Sequence, residues 1–191
     1  MNIKQANADR KVRLLSPYIT KNMRVLDFGC GDLALANNLF LKRPDLQIGG
    51  IDVIDFGVNV PGIPFRTYDG KRIPFNNDSF DVVVAWHVFH HTDQPSRLFR
   101  ECMRVAKKRV LFVEPVYRSV LELPGMALMD WVFNIWKTKS VSMHYAFRSR
   151  RWWEEHIARE HGMLRNVIDV EILPRWLPTG RSLLFVVDKP S

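Results

Sequence analysis

The chain has 191 residues, 47% of them hydrophobic and 25% charged, which is enough apolar content for one globular domain with a packed core. Only Cys30 and Cys102 are present, which excludes a disulfide framework; residues 1–13 are polar and lack the apolar core of a secretion signal, so a cytoplasmic protein is expected. The formal net charge is +8 and the pI ≈ 9.8, which suits nucleic acid, an anionic membrane face or an acidic substrate, and equally a solvated basic surface.

Residues 3–20 are expected to hold a helix, because Val12, Leu15 and Ile19 recur near helical spacing and Ser16-Pro17 interrupts it. Its basic residues Lys4, Arg10, Lys11 and Arg13 are expected on a solvated face. Residues 24–28 read as a buried strand that turns through Gly29 and Gly31 into a helix over 32–43, stopped by Pro44. A strand feeding a helix through two glycines brings backbone N–H groups and a helix N-terminus to one point. That point favours negative charge and lets a ligand approach the main chain closely. Gly29-Cys30-Gly31-Asp32-Leu33-Ala34 fits the loose dinucleotide pattern G-x-G-x-x-A, which is weak evidence alone. The Asp27 carboxylate, two residues before the first glycine, is unwelcome beside a pyrophosphate. It suits a cofactor that carries an ammonium group and a sulfonium.

A second strand over 47–52 ends in Asp52, about 20 residues past the glycine turn, where a carboxylate accepts hydrogen bonds from ribose hydroxyls. Pro61-Gly62-Ile63-Pro64 breaks the stretch 53–65 and leaves little room for a helix. A short third strand from Phe65 ends at Asp69, and Asp69-Gly70 taken alone is a turn dipeptide. Residues 80–85 are a near-continuous apolar run, a fourth strand buried on both faces. Beyond its carboxyl end stand Trp86, His87, His90 and His91, where open α/β sheets bind ligands. Helical spacing would put His87 and His91 on one face; metal ligation, proton transfer and structural hydrogen bonding are all open to these imidazoles.

Asp93 is the expected N-cap of a helix with Pro95 in its first turn, apolar Leu98, Phe99, Cys102 and Val105, and Lys107-Lys108-Arg109 at its C-terminus. Cys102 then reads as a buried small residue. A fifth strand spans 110–113, and Glu114 at its carboxyl edge is a candidate substrate contact. Residues 117–147 are strongly apolar at their centre, with Leu121, Met126, Leu128, Trp131, Phe133 and Trp136, but Glu122, Pro124 and Asp130 argue against a membrane span. They are expected to form a substrate lid flanked by Lys137 and Lys139, whose apolar underside fits an apolar or aromatic acceptor and could rest on an anionic membrane. Ser149 caps a helix over 150–161, in which Arg148, Arg150 and Arg151 beside Trp152 and Trp153 suit either nucleic acid or a salt-bridged surface. Two β-rich runs, 166–173 and 182–188, flank a loop over 174–180 long enough to bend over a site.

Asp27-Phe28-Gly29-Cys30-Gly31 resembles motif I of the class I S-adenosylmethionine (SAM)-dependent methyltransferases. Downstream, Asp69, Ile73-Pro74-Phe75 and Asp78-Ser79-Phe80-Asp81-Val82-Val83 follow in the order carried by members similar to the quinone-biosynthesis methyltransferases. The resemblance covers residues 22–115 with specific motifs. It implies an α/β fold: a Rossmann-like three-layer sandwich with a mostly parallel seven-stranded sheet and an antiparallel last strand, in a single domain over 1–191. It implies SAM as the cofactor, bound by Asp27, Gly29, Cys30, Gly31, Asp52, Val53, Asp69, Gly70, Trp86 and His87, with Asp69 taking the adenine amino group. His87, His90 and His91 are the candidate catalytic groups, and no metal is expected, since His-His before a polar residue and Asp is common in that family without one. The leading helix would lie over the cofactor mouth. The acceptor expected is a small molecule. The run Asp78-Ser79-Phe80-Asp81 disfavours a nicotinamide enzyme; a nucleic-acid methyltransferase and a non-catalytic SAM-binding protein stand as alternatives.

Overall fold

The computed structural model describes residues 3–134, 144–170, 177 and 179–190, without the side chains of residues 3–5, 133 and 134. Among these residues eight strands form one sheet: β1 (Arg24–Phe28), β2 (Gln47–Asp52), β3 (Phe65–Thr67), β4 (Phe80–Trp86), β5 (Ala106–Tyr117), β6 (Arg148–Ser149), β7 (Met163–Val170) and β8 (Arg181–Asp188). Seven run in the order β3-β2-β1-β4-β5-β8-β7, and the two-residue β6 pairs with β5. Pairing is parallel from β3 through β5, while β8 lies antiparallel between β5 and β7. The expected mostly parallel sheet with an antiparallel last strand is therefore present, with β6 as an eighth, minimal strand.

Alternation along the strands divides the core. Val82 and Val84 of β4 face one layer and Val83 and Ala85 the other, and all four are fully buried. On the first side the sheet packs against α1 (Ile3–Leu15) and α2 (Ala34–Lys42) through Val12, Leu15, Leu35 and Leu39. On the second it packs against α3 (Pro95–Val105) and α5 (Arg150–Arg159), where Phe99, Phe112, Trp153 and Phe185 stack and tilt against one another. The remaining helix, α4 (Leu123–Asn134), follows a 3₁₀ turn over Val120–Glu122 beyond β5. No helix among the described residues is long and apolar enough to cross a membrane.

Several boundaries depart from the sequence reading. Helix α2 begins at Ala34, not Asp32, because Leu33 takes a left-handed conformation (φ 60°) and the turn must close before the helix starts. Asp93 does not cap α3: Gln94 precedes the helix without a side-chain cap, and Thr92 Oγ1 accepts the Gln94 N–H instead. Lys107-Lys108-Arg109 belong to β5, where Lys108 pairs with Asp81 and Arg109 with Asp188 of the neighbouring β8. Ser149 does cap α5, accepting the Trp152 N–H. Trp136, Lys137, Lys139 and most of the loop 174–180 lie outside the described residues.

The loop between β3 and β4 has no regular structure and is tied to α3 through Arg104. Arg104 on α3 donates to Glu101 (2.7 and 2.8 Å) and to the carbonyls of Ile73 and Phe75 (both 2.9 Å), while Glu101 accepts the Ile73 N–H at 2.9 Å. Replacing Arg104 by Ala leaves a half-buried carboxylate and two carbonyls without their donor. A loss of about 2–4 kcal/mol and a melting temperature lower by roughly 10 °C are expected. Thermal unfolding of wild type and Arg104→Ala checks this; an unchanged melting temperature would remove the clamp from the account of stability.

Candidate functional site

A cavity of about 570 Å³ opens at the carboxyl ends of β1, β2 and β4. That is within the usual range for a small-molecule site. Its floor is the turn after β1. Gly29 and Cys30 donate their backbone N–H groups to the Ile51 carbonyl (2.8 and 3.2 Å), and Gly31 N–H donates to Asp52 Oδ2 at 2.8 Å. Both glycines have positive φ, at 68° and 54°. A Cβ on Gly29 would sit 2.5 Å from a Val88 methyl, whereas one on Gly31 would meet nothing within 4 Å and would project into open space. The first glycine is required by packing, the second by backbone conformation.

Two carboxylates address this floor differently. Asp52 has each oxygen occupied once, by Gly31 N–H and by Ile54 N–H, so each keeps a further lone pair for a hydroxyl. Asp27 is 2% exposed, and its Oδ2 is buried with no hydrogen-bond partner among the described residues. Burial raises its carboxyl to about 7, against the pull of the Lys11 charge. A buried carboxylate oxygen without a donor, on the wall of a cavity, is what an incoming ammonium would complete.

Most of the residues expected to hold a cofactor are brought together. Asp27, Gly29, Cys30, Gly31, Asp52, Val53, Gly70, Trp86 and His87 all line the cavity. Asp69 does not: its exposed side chain turns back to accept the N–H groups of Lys71 and Arg72 at 2.8 and 3.1 Å, which closes the turn after β3. Those same donors hold its carboxyl below the usual range. Tyr68, Ile54 and Phe56 form the apolar wall at that end.

The resemblance put the leading helix over the cofactor mouth, but none of its residues was named for that role. Asn7, Arg10 and Lys11 line the mouth, and Lys11 Nζ lies 4.7 Å over the Trp86 ring, although the basic residues of this helix were expected on a solvated face. Helical periodicity does not distinguish bulk water from a cavity mouth, so the packing of α1 beside α2 is what reveals this.

The three histidines have three environments. His87 has φ 57° and Phe89–His91 form a 3₁₀ turn, so the helical face joining His87 and His91 does not exist. His87 Nε2 meets Ser182 Oγ at 3.1 Å, and burial, then the His90 charge, lower its imidazole to about 3; it is neutral at physiological pH. His90 is 2% exposed, with Nδ1 2.8 Å from Glu114 Oε2 and Nε2 3.3 Å from Asp130 Oδ1. Burial opposes its charge, but the Glu114 and Asp130 carboxylates outweigh burial and raise it to about 9. His91 lines the cavity with its Nε2 3.8 Å from the same Asp130 oxygen.

Glu114 is not the substrate contact expected of it. It is 1% exposed, and Oε1 accepts the N–H groups of Val88 and Phe89, both at 2.8 Å, while Oε2 holds His90. Asp130 of α4 and His144 line the cavity and were not singled out from sequence; nothing local marks them, because the chain brings them back from beyond β5. The Arg/Trp cluster is not an open stacking platform. Trp153 is 1% exposed in the core, Arg148 lies over Trp152, and Arg150 and Arg151 pair with Glu154 and Glu155 on the same helix.

A model of the methyltransferase domain family matches residues 2–177. A phthiotriol/phenolphthiotriol dimycocerosates methyltransferase of Mycobacterium ulcerans is 31% identical over 91 residues, covering 44% of this chain and 34% of that protein. A demethylmenaquinone methyltransferase of Thermotoga maritima is 30% identical over 91 residues, covering 45% of this chain and 40% of that protein. The chain thus spans well under half the length of these curated relatives. Among solved structures, magnesium protoporphyrin IX methyltransferase of Synechocystis PCC 6803, with bound S-adenosylhomocysteine (SAH), shares the fold with a TM-score of 0.66 at 13% identity, covering 97% of this chain and 83% of that one. With the family model spanning nearly the whole chain, and the glycine turn and strand-end carboxylates in place, this protein belongs to the methyltransferase domain family.

Proposed function

We propose that the chain is a SAM-dependent methyltransferase that moves a methyl group to a small, apolar or aromatic acceptor by in-line displacement. The observation that carries this reading is the donorless Asp27 oxygen, buried in the cavity wall beside a glycine turn. Asp27 would hold the amino-acid ammonium, and Asp52 the ribose hydroxyls through its remaining lone pairs. Gly29 and Gly31 would let the cofactor approach bare main chain. Val53, Ile54, Tyr68 and Gly70 would flank the adenine; Asp69 enters only by shaping the turn that presents Gly70. Bound there, SAM supplies a methyl made electrophilic by its sulfonium.

The chain's own part is mainly to orient and to exclude water. Trp86, His87 and His91 wall the end of the cavity away from Gly70. His87 is neutral and engaged with Ser182, and His90 is locked between two carboxylates, so neither is a strong base near neutral pH. Of the three candidates, His91 remains for proton transfer, and positioning carries the rest. Segment 117–147 would act as the substrate cover, in which Asp130 and His144 already wall the cavity. Its apolar residues are not all turned inward: Leu121, Leu128, Trp131 and Val132 are exposed, while Met126 is buried. That exposed face favours a membrane-borne acceptor over nucleic acid. The matched relatives are named for small-molecule acceptors, which supports the same choice.

Calorimetry with SAM and SAH tests the reading, followed by SAH release across a panel of hydroxylated and quinol-like aromatic acceptors. Binding is expected, and Asp52→Ala should weaken it by at least roughly tenfold, the worth of about one charge-assisted hydrogen bond. No binding of either compound at millimolar concentration would overturn it.

Asp27 gives a pH signature. Its folded carboxyl titrates at about 7, above the ordinary 3.8, so the fold favours the protonated form. The stabilisation is complete below the ordinary value and is lost as pH rises toward the folded one. Between about pH 5 and about pH 8 the wild type should lose roughly 2–3 kcal/mol relative to Asp27→Asn, read by urea unfolding at both values. SAM affinity should run the other way, falling roughly tenfold from about pH 7 to about pH 5.5 in the wild type and staying flat in Asp27→Asn. Parallel pH curves for the two proteins would remove Asp27 from the ammonium site.

A further inference from the structure

The chemistry above uses His91 alone for proton transfer and Asp130 only as cavity wall, yet His90, His91 and Asp130 together are built with unusual convergence. Asp130 Oδ1 lies 3.3 Å from His90 Nε2 and 3.8 Å from His91 Nε2, and one ligand atom from each residue falls within 4.8 Å of the others. A tetrahedral zinc site with bonds near 2.0–2.1 Å has ligand atoms roughly 3.3 Å apart, so only small displacements separate this cluster from a coordination set.

Three further observations point the same way. First, the far nitrogen of His90 is already committed: Nδ1 meets Glu114 Oε2 at 2.8 Å, and Glu114 is itself pinned by two backbone N–H groups. A carboxylate that fixes one imidazole nitrogen and aims the other is the usual outer support of a metal-binding histidine. Second, the ring of His90 is held from both sides, stacked on Phe147 at 5.3 Å and against His91 at 4.1 Å, so its direction is set in advance. Third, His91 and Asp130 both line the cavity while His90 lies behind them, which gives three protein ligands and an open side facing the acceptor space.

We propose that His90 Nε2, His91 Nε2 and an Asp130 carboxylate oxygen form a binding site for a first-row divalent transition metal, with its free position turned into the cavity. Two imidazoles and one carboxylate select zinc, iron(II), cobalt(II) or manganese over magnesium or calcium, which prefer all-oxygen sets. The open position would take an oxygen of the acceptor. That last role rests on the methyltransferase reading, whereas metal binding itself does not.

The test uses the tag-free full chain and two probes, zinc by calorimetry and cobalt(II) by visible absorption, with SAM binding measured on the same samples. One equivalent of zinc with a dissociation constant below about 10 μM is expected, weakened roughly 10–100-fold in Asp130→Asn and in His91→Gln. Cobalt should give a visible spectrum that both substitutions abolish. His91 is the more exposed histidine, so His91→Gln is expected to keep its thermal unfolding curve and to report binding without a folding defect. Absence of zinc uptake, or uptake equal in wild type and in a folded His91→Gln, overturns the site. Zinc binding without SAM binding would sink the methyltransferase reading and leave the metal site standing; SAM binding without zinc binding would do the reverse.

Discussion

The carbonyl of Ile51 accepts two N–H groups from the turn after β1, and the carboxylate of the next residue accepts a third. These bonds sew the end of one strand to the turn leaving its neighbour, and the β1–β2 half of the sheet's carboxyl edge is placed by them. They hold Gly29 and Gly31 at positive φ, start α2 at its observed position and turn Asp52 over the floor of the cavity. The stitching also explains Gly50. A Cβ there would lie 2.4 Å from Leu33 and 2.9 Å from Cys30 Sγ, so β2 must present bare backbone where the turn folds across it. A glycine in mid-strand weakens the strand slightly, and here close packing of the turn requires it.

A second carboxylate organises the other half of the edge. Glu114 is fully buried, which opposes its charge, yet the His90 cation and the N–H groups of Val88 and Phe89 hold it ionised. A buried charge survives only with such complete pairing. The arrangement fixes the sharp turn after β4, in which His87 takes a left-handed conformation. Through His90 the same network reaches Asp130 on α4. The two halves therefore differ in character: one is closed by main chain and offers an acid with one donorless oxygen, while the other is closed by a fully satisfied acid and offers imidazoles.

Continuous apolar runs made β1, β4 and the centre of β5 visible, because Val82 to Ala85 and the runs in β1 and β5 are too apolar to lie anywhere but between two layers. The glycine turn and its carboxylates were legible for the same local reason. What escaped was non-local. Lys107-Lys108-Arg109 read as a helix end, but the partners that make them strand residues, Asp81 and Asp188, are supplied by β4's own start and by β8. Asp69 read as a ligand because of its position, while the backbone donors that claim it appear only once the turn is built. The spacing of His87, His90 and His91 suggested a helical pair, but a positive φ at His87 turns that residue to Ser182 and leaves His90 and His91 beside an aspartate 40 residues beyond His90. Lys11 was hidden by its helix, whose outer face looks alike whether it meets solvent or a cavity mouth.

The position of β8 has a consequence for biosynthesis. It is last in the chain order yet sits inside the sheet, with β5 on one side and β7 on the other. Until it leaves the ribosome, the Leu111-Phe112-Val113 stretch of β5 has an open edge on that side, and Ser182 cannot reach His87 across the 95 residues that separate them. Hydrophobic edges left open during translation invite pairing with other nascent chains. The His87–Ser182 contact and the covering of the β5 edge therefore wait on the same strand. A chain cut short before residue 181 would lack both.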